Sequence, residues 1–225
     1  MSDTDGFISE VNEEVRRDRL FALLRRYGWI GGLVVVLIVG GAAFSEYRKA
    51  QARAEAEALG DAILAAVSQE TGAARADALA AVPAGDAGAE AVAGMLAAAE
   101  AQNAGDTQAA VDTLNAIAAN GDVAPIYRDI AAFKALILQK ETMPAADLRG
   151  ELEALAAPGQ PLSLLAREQI ALLEIAQGNT DAAISTYQEI ISDAGVTTDL
   201  QQRALQVIVS LGGTPDLENL PGIGN

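Results

Sequence analysis

Gly105–Leu114 reads GDTQAAVDTL and Gly178–Tyr187 reads GNTDAAISTY. Each stretch joins two helix-forming runs: the glycine ends the first, and Asp106 or Asn179 starts the second. Outward from the first turn, a helix over about Ala89–Asn103 leads in and one over about Thr107–Ala119 leads out. Pro125 opens a helix to about Gln139. After Glu141-Thr142-Met143-Pro144 another runs to Ala156, where Pro158-Gly159-Gln160-Pro161 breaks the chain. A helix to Gln177 meets the second turn, one from about Asp181 to Ser192 leaves it, and a last spans Thr198–Leu211. The second helices start near positions 106, 144 and 181, spacings of 38 and 37 residues. A period of that size is the mark of stacked helix pairs.

These turns resemble those of tetratricopeptide repeats. In that likeness Ala110 or Ala183 lets the two helices pack closely, and Leu114 or Tyr187 fills the gap one turn on. The middle unit, Lys140–Gly150, lacks the glycine, and the aromatic residues usual in the first helix are largely missing. The expected fold is all-α: one N-terminal transmembrane helix followed by a tetratricopeptide-like α-solenoid of helix pairs.

The transmembrane expectation rests on Tyr27–Ser45, YGWIGGLVVVLIVGGAAFS, which holds no charge over 19 residues. As a helix it covers roughly 28 Å, close to the hydrocarbon thickness of a bilayer. Tyr27 and Trp29 at one end and Phe44 and Tyr47 at the other sit where an interfacial belt belongs. A buried core helix would show a polar face. A cleavable signal peptide would not carry a long, acid-containing leader. Gly28, Gly32 and Gly40 fall on one helical face, a pattern that lets a second helix approach and also one common in membrane helices generally. Five arginines (Arg16, Arg17, Arg19, Arg25, Arg26) precede the span, and Arg48, Lys49 and Arg53 follow it. That bias places the N-terminus in the cytoplasm and the larger part outside, which in a bacterium is the periplasm.

The chain therefore divides into a cytoplasmic arm (1–26), the span (27–45), a juxtamembrane helical segment (46–88), the repeat domain (89–211) and a tail (212–225). In the arm, Phe7, Ile8, Val11 and Val15 recur at helical spacing, a pattern that fits a membrane-surface helix, a docking helix or a loose tail. The tail, GGTPDLENLPGIGN, is barred from a regular helix by Pro215, Pro221 and its glycines. Its Leu217, Leu220 and Ile223 either tuck into a groove or stay in solvent.

Composition excludes several activities. The chain has 225 residues, 15 basic and 31 acidic, for a net charge of −16. Residues 50–225 hold eight of the bases and 24 of the acids, which is the whole excess. A strongly acidic domain repels phosphate backbones, so no nucleic-acid partner is expected. Cysteine and histidine are both absent. That removes disulfides, thiol nucleophiles, Cys/His zinc sites and imidazole-based triads. No phosphate-binding loop or dinucleotide fingerprint occurs. The expectation is a protein that is not an enzyme and takes no cofactor. The chain has 48 alanines, good helix formers that bury little area each.

Candidate binding residues lie at the starts of the first helices: Arg128, Arg167 and Arg203, spaced 39 and 36 apart. They read either as a row of donors along a partner groove or as ion pairs repeated between units. Tyr127, Phe133 and Tyr187 read as core.

The layout as a whole resembles the YfgM-like family, ancillary subunits of the bacterial Sec translocon. Phe7–Arg19, FISEVNEEVRRDR, is similar to the opening of alphaproteobacterial members. The resemblance implies a single-pass protein of the cell inner membrane with a periplasmic domain. It also implies contact with Sec translocon subunits, a periplasmic chaperone and newly exported chains. Two other readings remain: a scaffold of another envelope machine, such as cell division or outer-membrane assembly, or a homo-oligomer held by the Gly28/Gly32 face.

Overall fold

The computed structural model describes the backbone of residues 3–217 and the side chains of 25, 26 and 29–217. The described residues form nine helices and no strand: α1 (Asp3–Val67), α2 (Gly72–Ala80), α3 (Ala87–Asn103), α4 (Thr107–Ala119), α5 (Pro125–Gln139), α6 (Ala145–Leu155), α7 (Ser163–Ala176), α8 (Thr180–Ser192) and α9 (Thr198–Ser210). The chain is all-helical, and the helix ends fall within a few residues of the proline and glycine punctuation. Pro125 opens α5 and Pro144 precedes α6, where proline's missing N–H costs no helical bond.

The arm from Asp3, the apolar stretch and the juxtamembrane segment as far as Val67 run as one helix. α1 is unbroken over 65 residues, because nothing in it breaks a helix: the first proline is Pro83. An interior glycine costs only about 1 kcal/mol relative to alanine. From Trp29 onward α1 is long and apolar enough to cross a membrane, and that apolar stretch is wholly unburied. The side chains that make the arm amphipathic, Phe7 to Val15, lie outside the described ones.

Two units divide the chain, Met1–Ala58 and Leu59–Asn225. In the second, each helix packs mainly on its neighbours in sequence, α2 on α3 through to α8 on α9, with α3 also touching α5. The last turns of α1 belong to this unit: Ile63 and Ala66 pack with Leu79 and Ala97. The division therefore falls inside the segment 46–88.

The core is a chain of small clusters. Ala98, Leu114 and Ala131 centre one between α3, α4 and α5. Leu136, Leu152 and Ala166 join α5, α6 and α7. Tyr187, Ile190 and Ile208 join α7, α8 and α9. Alanine occupies the tightest positions: Ala110, Ala131, Ala166, Ala171, Ala183 and Ala204 are all 0% exposed. Gly94 of α3 lies so close to α4 that a Cβ there would stand 3.0 Å from Ile117 Cδ1. Thin side chains let the helices approach, and the larger ones fill what remains.

Candidate functional site

The turns at Gly105 and Gly178 share one geometry. Gly105 has φ +88° and Gly178 has φ +78°, a conformation that residues with a Cβ adopt only under strain. The Asp106 N–H reaches back to Ala101 O at 2.9 Å and the Gly105 N–H to Gln102 O at 3.0 Å. At the second turn the Asn179 N–H reaches Glu174 O at 2.8 Å and the Gly178 N–H reaches Ile175 O at 3.0 Å. Both are Schellman closures that satisfy the last carbonyls of a helix. The next step differs. Asp106 Oδ1 accepts from the Ala109 N–H at 3.0 Å and caps α4. Asn179 stands at the N-cap of α8 without a side-chain cap bond; its Nδ2 donates to Gln177 Oε1 at 3.3 Å. Ala110, Leu114, Ala183 and Tyr187 are buried inside the pairs that follow.

The three arginines differ in what they touch. Arg203 Nε and Nη2 donate to the two carboxylate oxygens of Glu168 at 3.0 and 2.9 Å, a two-pronged bond from α9 to α7. Arg128 is half-buried and its Nε is buried without a hydrogen-bond partner. Arg167 is half-buried on α7 beside Glu168 and forms no ion pair among the described residues. Burial pushes the Tyr187 hydroxyl up to about 12; Glu168 adds to the rise and Arg203 opposes it.

Two further carboxylates tie helices together. Glu174 of α7 accepts from Arg149 Nη2 of α6 at 3.2 Å and from Thr186 Oγ1 of α8 at 3.0 Å. Glu100 of α3 accepts from Arg75 Nε of α2 at 2.6 Å. In both arginine pairs the partners are 25 residues apart. Sequence reasoning passed over Glu168 and Glu174. The available signal was their place on α7, where Ala166, Ile170 and Ala171 mark the buried face.

Two clefts open between α3 and α7. One cleft of about 210 Å³ is bounded by α5, α6 and α7, with Leu136, Ile137, Leu148, Gln169 and Leu172 in its wall. A second of about 270 Å³ lies between α3, α4 and α5, walled by Met95, Ala99, Gln102, Phe133 and Ile137. Ile137 lines both. Lys140 borders the first and Lys134 the second. Leu172 is 43% exposed at the cleft edge. Of the eight bases beyond residue 49, Arg75, Arg149 and Arg203 are bound to carboxylates of neighbouring helices. Lys140 approaches only the exposed Glu141, at 3.9 Å, a surface pair worth little. The clefts are thus largely apolar, with Lys140 and Glu141 at the edge of the first and Lys134 at the edge of the second.

In the first unit, Trp29, Phe44 and Tyr47 are exposed, and a Cβ added at Gly32 or Gly40 meets open space. Tyr27 and Gly28 lie outside the described side chains. Among the described residues no group of three or more carboxylates gathers to hold a metal ion. Comparison with protein-family models, curated proteins and solved structures gives no match to this chain.

Proposed function

We propose that this protein is a non-catalytic, membrane-anchored adaptor whose helix pairs stack as a tetratricopeptide-like solenoid and hold segments of other polypeptides. The observation that carries this reading is the pair of apolar clefts that share Ile137 as a wall residue, with Lys134 at the edge of one and Lys140 and Glu141 at the edge of the other. A groove of that kind gains affinity by taking apolar side chains out of water at about 25 cal/mol per Å². The lysines add orientation by selecting acceptors at its margin. α1 supplies the tether. With its N-terminus in the cytoplasm, the acidic domain stands in the periplasm of a bacterial inner membrane. By the resemblance of its opening segment, span and turns to the YfgM-like family, its work is ancillary to the Sec translocon. It bridges translocon subunits, a chaperone and emerging chains.

A photoreactive amino acid at Ile137 in intact cells tests this. Crosslinks to newly exported chains, chaperone or Sec subunits are the expected result. Crosslinks confined to division or outer-membrane assembly proteins would replace the export reading with that of a scaffold for those machines.

A further inference from the structure

The described part of the C-terminal tail is placed by a third turn of the same kind. Gly212 has φ +83°, the Gly213 N–H reaches Ile208 O at 2.9 Å, and the Gly212 N–H reaches Val209 O at 3.0 Å. After Gly105 and Gly178 such a turn starts a helix. Here Pro215 follows two residues after Gly213, and residues 213–217 have no regular secondary structure. The chain instead runs back along α8 as a strap.

Two features hold it. Gly213 sits between Ile184 of α8 and Ile208 of α9, where a Cβ would stand 3.1 Å from Ile184 Cδ1 and 3.1 Å from Ile208 Cγ2. The Gln188 side chain then brackets the backbone: its Nε2 donates to Thr214 O at 2.9 Å, and its Oε1 accepts from the Asp216 N–H at 3.1 Å. One amide side chain thus satisfies a carbonyl and an N–H that straddle Pro215. The residue between them needs no N–H, so proline loses nothing there. Both hydrogen bonds from the Gln188 amide to the strap go to main-chain atoms, so this bracket reads an extended backbone.

We propose that Gln188 with the Ile184–Ile208 seat is a binding site for an extended polypeptide segment, and that residues 212–217 occupy it in cis as a built-in competitor. The fitting segment carries glycine at the seat and tolerates proline two residues on. This site lies on α8 and α9, away from the clefts along α3, α5 and α7, and does not depend on what those clefts bind. A strap tethered directly to α9 has an effective concentration in about the millimolar range, so a free segment at micromolar concentration binds only once the strap is released.

The test uses the full chain in detergent and a labelled peptide of residues 212–225, followed by fluorescence anisotropy. Two variants release the strap: Gly213→Val, which cannot enter the seat, and Asp216→Pro, which loses the N–H that Gln188 accepts. Each should bind the peptide at least about tenfold more tightly than the unaltered chain, and adding Gln188→Ala should remove that gain, since two hydrogen bonds are lost. Helical circular dichroism reports folding. If Gly213→Val unfolds, Asp216→Pro carries the test, because it leaves α8 and α9 unchanged. Released, folded variants that bind no better than the unaltered chain would overturn the proposal, as would binding that survives Gln188→Ala.

Discussion

Glycine has opposite effects at Gly178 and Gly150. At φ +78° Gly178 occupies the left-handed region, which costs an alanine about 1–2 kcal/mol. Gly150 lies inside α6 with open space around it and no positive φ. There glycine wastes backbone entropy, and alanine should gain about 0.5–1 kcal/mol. Urea denaturation should therefore show Gly178→Ala destabilised and Gly150→Ala stabilised. Equal signs would mean that the turn geometry contributes nothing. Tyr187 yields a second expectation. In the unfolded chain its hydroxyl ionises near 10, whereas in the folded protein it holds its proton to about 12. Between those values the native state binds more protons than the unfolded state, so stability falls as pH rises from about 10 to 12. The full loss is about 3 kcal/mol for two pKa units. Subtracting the same curve for Tyr187→Phe isolates it from the other tyrosines and lysines, and a flat difference would place the hydroxyl in water.

At the scale of helices, the turns at Gly105 and Gly178 look alike in sequence but differ in what their second residues do. Asp106 caps α4, so Asp106→Ala should cost about 1 kcal/mol. Asn179 makes no such bond, so Asn179→Ala should change stability by no more than a few tenths of a kcal/mol. Thermal melts of the two variants decide it, and a loss at Asn179 equal to that at Asp106 would contradict the geometry. From α3 to α9, helix number and ends were legible in the sequence because proline and glycine act on their own backbone, locally and in any context. The unbroken α1 was less legible, since the chemistry of its side chains changes at residues 27 and 45 while its backbone meets no breaker. Least legible were contacts between partners far apart in the chain: Glu174 with Arg149, Glu168 with Arg203, and Gln188 with the strap. Each depends on which faces the packed helices turn toward each other, and no local spacing states that. The clefts share this property. Ile137 looks like any core isoleucine until α3 and α7 are set beside it.

At the scale of the whole chain, the charge distribution and the apolar helix make a joint statement. All of the −16 lies beyond residue 49. An anionic bilayer surface repels such a domain, and exposed single-sign charge keeps it soluble. Insertion, however, is directed by arginine and lysine near the span, and acidic residues count little. The proposed orientation therefore rests on five bases before the apolar stretch against three after it, a small margin that an experiment can check directly. The chain has no cysteine, so Ser2→Cys and Ser210→Cys each introduce a single reactive thiol, and position 210 is exposed on α9. A membrane-impermeant maleimide added to intact spheroplasts should label position 210 and spare position 2, and after lysis both should label. The reverse pattern would put the clefts on the cytoplasmic side and remove exported chains as their occupants. Labelling at both positions before lysis would deny the span itself, and the apolar face of α1 would then need a protein partner to cover it.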